Sequence, residues 1–595
     1  MEETGRGLVK ELRKAMRERR IDLYVIPMGD CHGSEYISAH FRAIRAISCF
    51  TGSAGTLAVT REKAGFWTDG RYFLQAEEQL RGTGIDLYRM GMPGVPTVAE
   101  FLAAELPEGG TLGFDGRIVT LSQEQSWEAA LAGKNARIES RFDLADEIWP
   151  NRPAQEFRPV FALPDEVTGE TVSSKLARLR AAMEKAGADV HLITSLDDIA
   201  WLTNLRGDDV TCNPVYFAYL CVTKEKADLF ARTAAVPEAA RETLRRGGIC
   251  LHEYEEFFGA AAALPAEAKV LLDTKKASYA IRAALPAGVS VIEAVNPSTL
   301  MKAVKNEAEQ KALLDSHHRD GLAMVKFLYW LKHHPCREEL TEVTAAEMLD
   351  GLRKEEGAFE LSFGTIAAVG GNAALAHYDP KLTGGAALPP HGFLLVDSGG
   401  QYPTGTTDIT RTIVLGKLTR QEKHLFTAVL RGHLRLQSAV FPKGCVGQNL
   451  DVLARTALWE DLKDYRHGTG HGVGFILNVH EGPNAFRWQT AHPTAVLEAG
   501  MVTTDEPGFY QEGEFGVRIE NELLCVPAGG SEYGEFLRFE PLTFCPIDRE
   551  AILPEEMDAS EIRALNAYHE RVYQELKDDL PAETAGWLRE VTRPV

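Results

Sequence analysis

Five residues within the stretch 393–520 have side chains suited to holding cations. Asp397 and Asp408 lie in GFLLVDSGGQYPTGTTDITRTIVLG, His471 in HGTGHGVGFILNVHEGP, Glu506 in VTTDEPGFY and Glu520 in FGVRIENELLCV. Four carboxylates and one imidazole are thus set among apolar and glycine-rich neighbours. A carboxylate buried there as a bare anion would be heavily penalised. Two divalent cations remove the penalty, with about four negative charges facing four positive ones and room for an activated water. The chemistry implied is two-metal hydrolysis.

The elements that must position these groups are legible around them. Asp397 ends the apolar run FLLV and Asp408 precedes the β-prone ITRTIVL, with turn formers between. Two strands joined by that turn would bring both carboxylates to one end of a hairpin; the plainer alternative is a pair of turn-capping aspartates. The four glycines of HGTGHGVG allow the backbone near His471 to approach a ligand closely. A phosphate nest is disfavoured, because no Lys-Ser/Thr ending and no GxGxxG follows. Glu506 precedes Pro507-Gly508 at a chain reversal, and Glu520 lies in a strand-like run where Arg518 or solvent is the alternative partner. Helices and hairpins alternate from Phe393 onward, which implies an α+β domain.

At 595 residues the chain is too long for one core. Leu8, Leu12 and Met16 keep one helical face within 7–20, and LYVIP then reads as a buried strand. The pattern returns near Ser174: Leu12, Arg13, Ala15, Met16, Asp22 and Ile26 align with Leu179, Arg180, Ala182, Met183, Asp189 and Ile193. VTREKA from Val59 recurs as VTKEKA from Val222. Two matches at nearly constant separation imply a duplicated α/β domain. The proline-bearing run IWPNRPAQEFRPVFALP links the copies, and a second boundary falls near NPSTLMKAVKN. Leu314, Gly321, Leu322, Val325, Leu328 and Tyr329 then keep helical spacing. Three domains are expected, 1–155, 156–300 and 301–595. In the tail, Ile562, Leu565, His569, Val572 and Leu576 form one stripe, expected to pack on the domain or on a sister subunit.

A net charge of -21 argues against non-specific binding to nucleic acid or anionic membranes. No run approaches the roughly 18 apolar residues of a membrane span, and the N-terminus lacks a signal-peptide core. Nine cysteines without regular spacing suit reduced thiols in a cytoplasm.

With ten residues between Asp397 and Asp408, His471 in HGTGHGVG, Glu506 in DEPG and Glu520 in RIEN, the chain resembles the pita-bread metallopeptidases, which include methionine aminopeptidases, prolidases and aminopeptidases P. SEYI near Glu35, WTDGRYFLQA, DDIAWLTNLRG, AVKN, VHEGP and FEPLTFCPI narrow the resemblance to the three-domain cytosolic aminopeptidases P. It implies two tandem creatinase-like α/β domains, then a pita-bread α+β catalytic domain. It also implies that Asp397, Asp408, His471, Glu506 and Glu520 hold two metal ions, manganese more often than cobalt or zinc, in a homodimer. The donor set alone does not choose among those metals. The activity implied is removal of the N-terminal residue from short peptides with proline second, Glu506 also assisting proton transfer. His377 and His480 match histidines that bind substrate or steady the tetrahedral intermediate, His467 would line the prolyl pocket, and Arg71 would reach the peptide. A prolidase acting on Xaa-Pro dipeptides is the alternative; a non-catalytic relative would have lost ligands, and all five are present.

Overall fold

The computed structural model describes residues 2–336, 339–375, 378–490 and 494–595, with side chains from Gly7 onward. Two compact units emerge, one built from 1–163 and 170–298, the other from 164–169 and 299–595.

The first unit contains the duplication. One six-stranded sheet runs in the order Asp86–Arg89, Ala64–Thr68, Thr56–Thr60, Leu23–Pro27, Thr111–Phe114, Arg137–Glu139. The second repeats it as Cys250–His252, Ala227–Ala231, Ala218–Thr223, Val190–Ile193, Lys269–Leu272, Ser290–Glu293. Parallel and antiparallel pairings also correspond strand for strand. The repeated hexapeptides are the hairpin turns between matching strands. Thr60 Oγ1 accepts from Lys63 N, and Thr223 Oγ1 accepts from Lys226 N. Arg13 Nε donates to Thr60 O as Arg180 Nε does to Thr223 O, both at 3.0 Å. Asp22 and Asp189 each accept a backbone N–H from the neighbouring parallel strand, at Thr111 and Lys269. The aligned polar residues therefore persist because each ties one helix or strand end to its hairpin. Leu12 and Leu179 are fully buried at matching places under the two sheets.

The second unit opens on the helix Glu307–His333, which starts earlier than the apolar spacing suggests because its first turn, EAEQ, is polar. Asn306 caps it by accepting from Ala308 N and Glu309 N. The buried face runs through Leu313, His317, Asp320, Met324 and Leu331, whereas Leu314 is largely exposed. Asn306 Nδ2 also donates to Thr168 O (2.8 Å), which fastens the short piece 164–169 to this unit. That piece is the one-turn helix Asp165–Thr168, closed by Gly169 at φ +63°, where a Cβ would stand 2.5 Å from Asn306 Oδ1.

Behind the long helix, Phe393–Ser398 pairs with Ile366–Val369 on one side and Ile409–Val414 on the other. A four-stranded sheet orders Val440–Pro442, Gly534–Pro541, Asn521–Ser531 and Val502–Asp505. The helix Arg420–Gln437 packs on Gly447–Trp459, and its inner face meets the tail helix Ala559–Leu576. Leu565, His569, Val572 and Leu576 are buried in that core, with Ile562 packed at its edge, so the tail stripe packs on its own unit.

Candidate metal centre

The hairpin forms as the sequence suggests. Asp397 is the penultimate residue of its strand and pairs in register with Thr410, and Asp408 stands immediately before the partner strand. The intervening turn is itself anchored: the Tyr402 and Thr407 hydroxyls both donate to Asp320 Oδ1 at 3.0 Å, and Arg353 pairs with that buried carboxylate. Asp408 N donates to Glu522 Oε1 (2.7 Å), so the aspartate's backbone is fixed from the four-stranded sheet.

His471 enters from the short pair of Gly470–His471 with Ala485–Phe486. A Cβ on Gly470 would lie 1.8 Å from Thr504 O. Gly470 is therefore required by the close approach of the strand leading to Glu506. His471 Nδ1 lies 3.0 Å from Gly472 O. A carbonyl only accepts, so Nδ1 carries the proton and the Nε2 lone pair faces the carboxylates. Nε2 is 3.5 Å from Asp408 Oδ2 and 3.8 Å from Glu506 Oε1.

Glu520 lies at the junction of Phe515–Arg518 and Asn521–Ser531. Its N–H donates to Thr410 O (3.1 Å) and its Oε2 accepts from Thr410 Oγ1 (2.7 Å). Arg518, a candidate partner for Glu520, instead donates from Nη2 to Asp397 Oδ2 (2.5 Å). It donates from Nη1 to Tyr510 OH (2.7 Å), and that hydroxyl in turn stands 2.9 Å from His467 Nε2. Arg518, Tyr510, Thr410 and Glu522 are the supporting residues that sequence spacing did not bring out. Period-two alternation in FGVRIE, which sets Arg518 and Glu520 on one side, was the one available signal.

Ligand atoms of Asp408, His471 and Glu520 all lie within 4.8 Å of one another. Asp397 Oδ1 and Asp408 Oδ1 are buried without a hydrogen-bond partner among the described residues. Burial, then the charges of Glu520 and Asp397, drives the Asp408 carboxyl well above its ordinary range. Glu520 is raised by burial and by Glu506 and Asp397, and Glu506 is pushed up to about 7, chiefly by burial. Among the described residues, Arg518 is the guanidinium that pairs with these carboxylates, at Asp397. Crowded, partly unpartnered oxygens around an imidazole with a correctly disposed lone pair fit oxygen-binding divalent cations.

His480 stacks edge-on against His471, with centroids 4.4 Å apart. His467 is partly buried beside Tyr510. In the first unit, Arg71 makes a two-point pair with Asp69 (2.9 and 2.8 Å). His377 lies outside the described residues.

Comparison with known proteins bears on the same residues. The model of metallopeptidase family M24 matches 311–527, and that of the C-terminal region of peptidase M24 matches 535–595. Two models of the creatinase/prolidase N-terminal domain match 9–143 and 151–309. Aminopeptidase P2 of Arabidopsis thaliana is 38% identical over 616 residues, covering 97% of this chain and 86% of its own. A cytosolic X-prolyl aminopeptidase of Caenorhabditis elegans, described as having a di-nuclear active site, superposes over 100% of both chains at 34% identity and a TM-score of 0.93. A Xaa-Pro dipeptidase of Bacillus anthracis, at 25% identity and a TM-score of 0.52, is covered over 99% of its length but spans 64% of this chain. Two creatinase-like domains followed by a pita-bread catalytic domain make up this chain, which belongs to metallopeptidase family M24 and, within it, to the aminopeptidases P.

Proposed function

We propose that this protein is a metal-dependent aminopeptidase that removes the N-terminal residue from peptides with proline second. The observation that carries this is the cluster of Asp408, His471 and Glu520 beside an Asp397 oxygen that has no hydrogen-bond partner among the described residues, in a chain that aligns with aminopeptidase P2 over 97% of its length. Asp397, Asp408, His471, Glu506 and Glu520 would hold two divalent ions, for which we propose manganese. When bound, these supply an acidified water and polarise the scissile carbonyl. The remaining work belongs to side chains. Glu506 takes a proton from the attacking water and passes it to the departing amine. Arg518 holds the orientation of Asp397, and His471 keeps its Nε2 inward through Gly472 O. His480, together with His377, donates a hydrogen bond to the developing oxyanion. His467 lines the prolyl pocket, and Arg71 contacts the peptide, a role supported by its TDGRYF motif.

We further propose domain limits at 155 and 300, a cytosolic setting like that of the C. elegans relative, and a homodimer, with no nucleic-acid partner. No described helix is long and apolar enough to cross a membrane. A dipeptidase is less well supported, because the B. anthracis dipeptidase leaves more than a third of this chain uncovered.

The test is incubation of manganese-loaded protein with an Xaa-Pro-Xaa tripeptide, an Xaa-Pro dipeptide and a proline-free tripeptide. The first should be cleaved fastest and the last left intact. Asp408→Ala should fall below about 1% of the parent rate. Equal cleavage of the proline-free control, or full activity in Asp408→Ala, would overturn the proposal.

A further inference from the structure

Two short motifs, AVKN and VHEGP, are far apart in sequence and unexplained by the metal cluster, yet they meet. Lys305 of the first sends its Nζ to Glu481 Oε1 (2.9 Å) and to Val473 O (2.6 Å). Lys302 Nζ stands 2.9 Å from the other carboxylate oxygen, Oε2. All three side chains are buried, Lys305 and Glu481 almost completely. Lys305 is held in place before it reaches the loop: its N–H donates to Gly500 O (2.9 Å), and its carbonyl accepts from Gln310 Nε2 (2.7 Å).

The segment these lysines grip, 472–484, contains no helix, and its backbone closes on itself. Gly472 N donates to Asn484 O (2.9 Å), Glu481 N to Gly472 O (2.7 Å) and Gly474 N to Asn478 O (3.0 Å). Its two ends are joined a second time through Lys305, from Val473 O near the start to Glu481 near the end. His480 is the residue immediately before that anchored glutamate. The His480 ring stands edge-on against His471, with centroids 4.4 Å apart, so the lysines' hold on Glu481 restricts where that ring can lie. Two buried ammonium groups around one carboxylate is a costly arrangement for simple stability, since apolar packing would serve as well. Its geometric yield is orientation.

We propose that Lys305, seconded by Lys302, is a positioning residue for the reaction: through Glu481 and Val473 O it fixes the 472–484 loop and so aims His480. The proposal rests on the reading of His480 as the oxyanion donor. In metal-saturated enzyme, Lys305→Met should lower kcat on an Xaa-Pro-Xaa tripeptide by about 10- to 100-fold while KM changes less than about 3-fold, the signature of a lost transition-state contact. Lys302→Met should do the same more weakly. His480→Ala should lower kcat by about 100-fold, and adding Lys305→Met to it should cost less than about 3-fold more. In metal-free protein, hydrogen exchange should quicken in peptides from 472–484 in Lys305→Met and not in those covering 420–459. If His480→Ala keeps its kcat, the oxyanion reading is wrong. If His480→Ala is impaired while both lysine variants keep their kcat, or if the double variant loses the product of the single losses, the positioning proposal is overturned. Should Lys305→Met fail to fold, Lys302→Met and Glu481→Gln carry the same comparison.

Discussion

The Glu506 carboxyl titrates near 7 because it is buried, with Asp397 adding repulsion and Arg518 opposing it. Asp408 and Glu520 are raised in the same way. A group whose folded pKa exceeds its unfolded value binds its proton more tightly when folded, so stability falls as pH rises between the two. For Glu506 that window runs from its ordinary 4.5 to about 7. Metal-free protein should therefore melt several degrees lower at pH 7.5 than at pH 5, and added manganese should raise the melting temperature more at pH 7.5. A manganese effect of equal size at both pH values would show that the carboxylates are not the binding groups. The candidate ligands were legible because each sits in a run too apolar or too glycine-rich to explain a charge. Arg518 was not legible as the partner of Asp397, since 121 residues separate them and only a folded sheet brings them together.

At the scale of elements, the hairpin that carries Asp397 and Asp408 is tied to the tail helix. The buried Arg411 guanidinium donates to Glu520 O (2.6 Å) and Thr410 O (2.9 Å) on one side. On the other it reaches Asn521 Oδ1, Cys545 O and the Tyr568 hydroxyl, at 2.8 to 2.9 Å. Tyr568→Phe removes a buried hydroxyl that accepts from Arg411 Nη2 and lies 2.9 Å from Cys545 O and 3.1 Å from Thr543 O, and should cost about 0.5–1.5 kcal/mol, read as a fall in urea midpoint at unchanged slope. Metal stoichiometry should stay that of the parent; loss of bound metal at full stability would mean that the helix acts on the site directly. The tail stripe could be read in advance because its spacing is strictly helical. The start of Glu307–His333 could not, because its first turn is polar and only the Asn306 cap marks it.

Over the whole molecule, the duplication was legible from six aligned positions, and the structure gives their reason: Arg13 and Arg180, like Asp22 and Asp189, close equivalent hairpins and strand ends. The assignment of 164–169 to the second unit was invisible, since nothing in PDEVTG distinguishes it from linker. Asn306 joins that piece while capping the long helix. Asn306→Ala removes both functions and should cost about 2 kcal/mol, whereas Asn306→Asp keeps the cap acceptor, loses the donor to Thr168 O and should cost about half as much. No loss in Asn306→Asp on urea unfolding would show that the tie to Thr168 contributes nothing.

The same tie sets a timetable. During synthesis, 164–169 leaves the ribosome about 140 residues ahead of the helix that receives it, a delay on the order of ten seconds at about 5–20 residues per second. Until then the segment trails from a first unit still being completed around it, waiting for a partner not yet made. Sealing of the catalytic half is therefore a late event in the life of the nascent chain, and a polypeptide released early, near residue 300, carries a stranded docking segment.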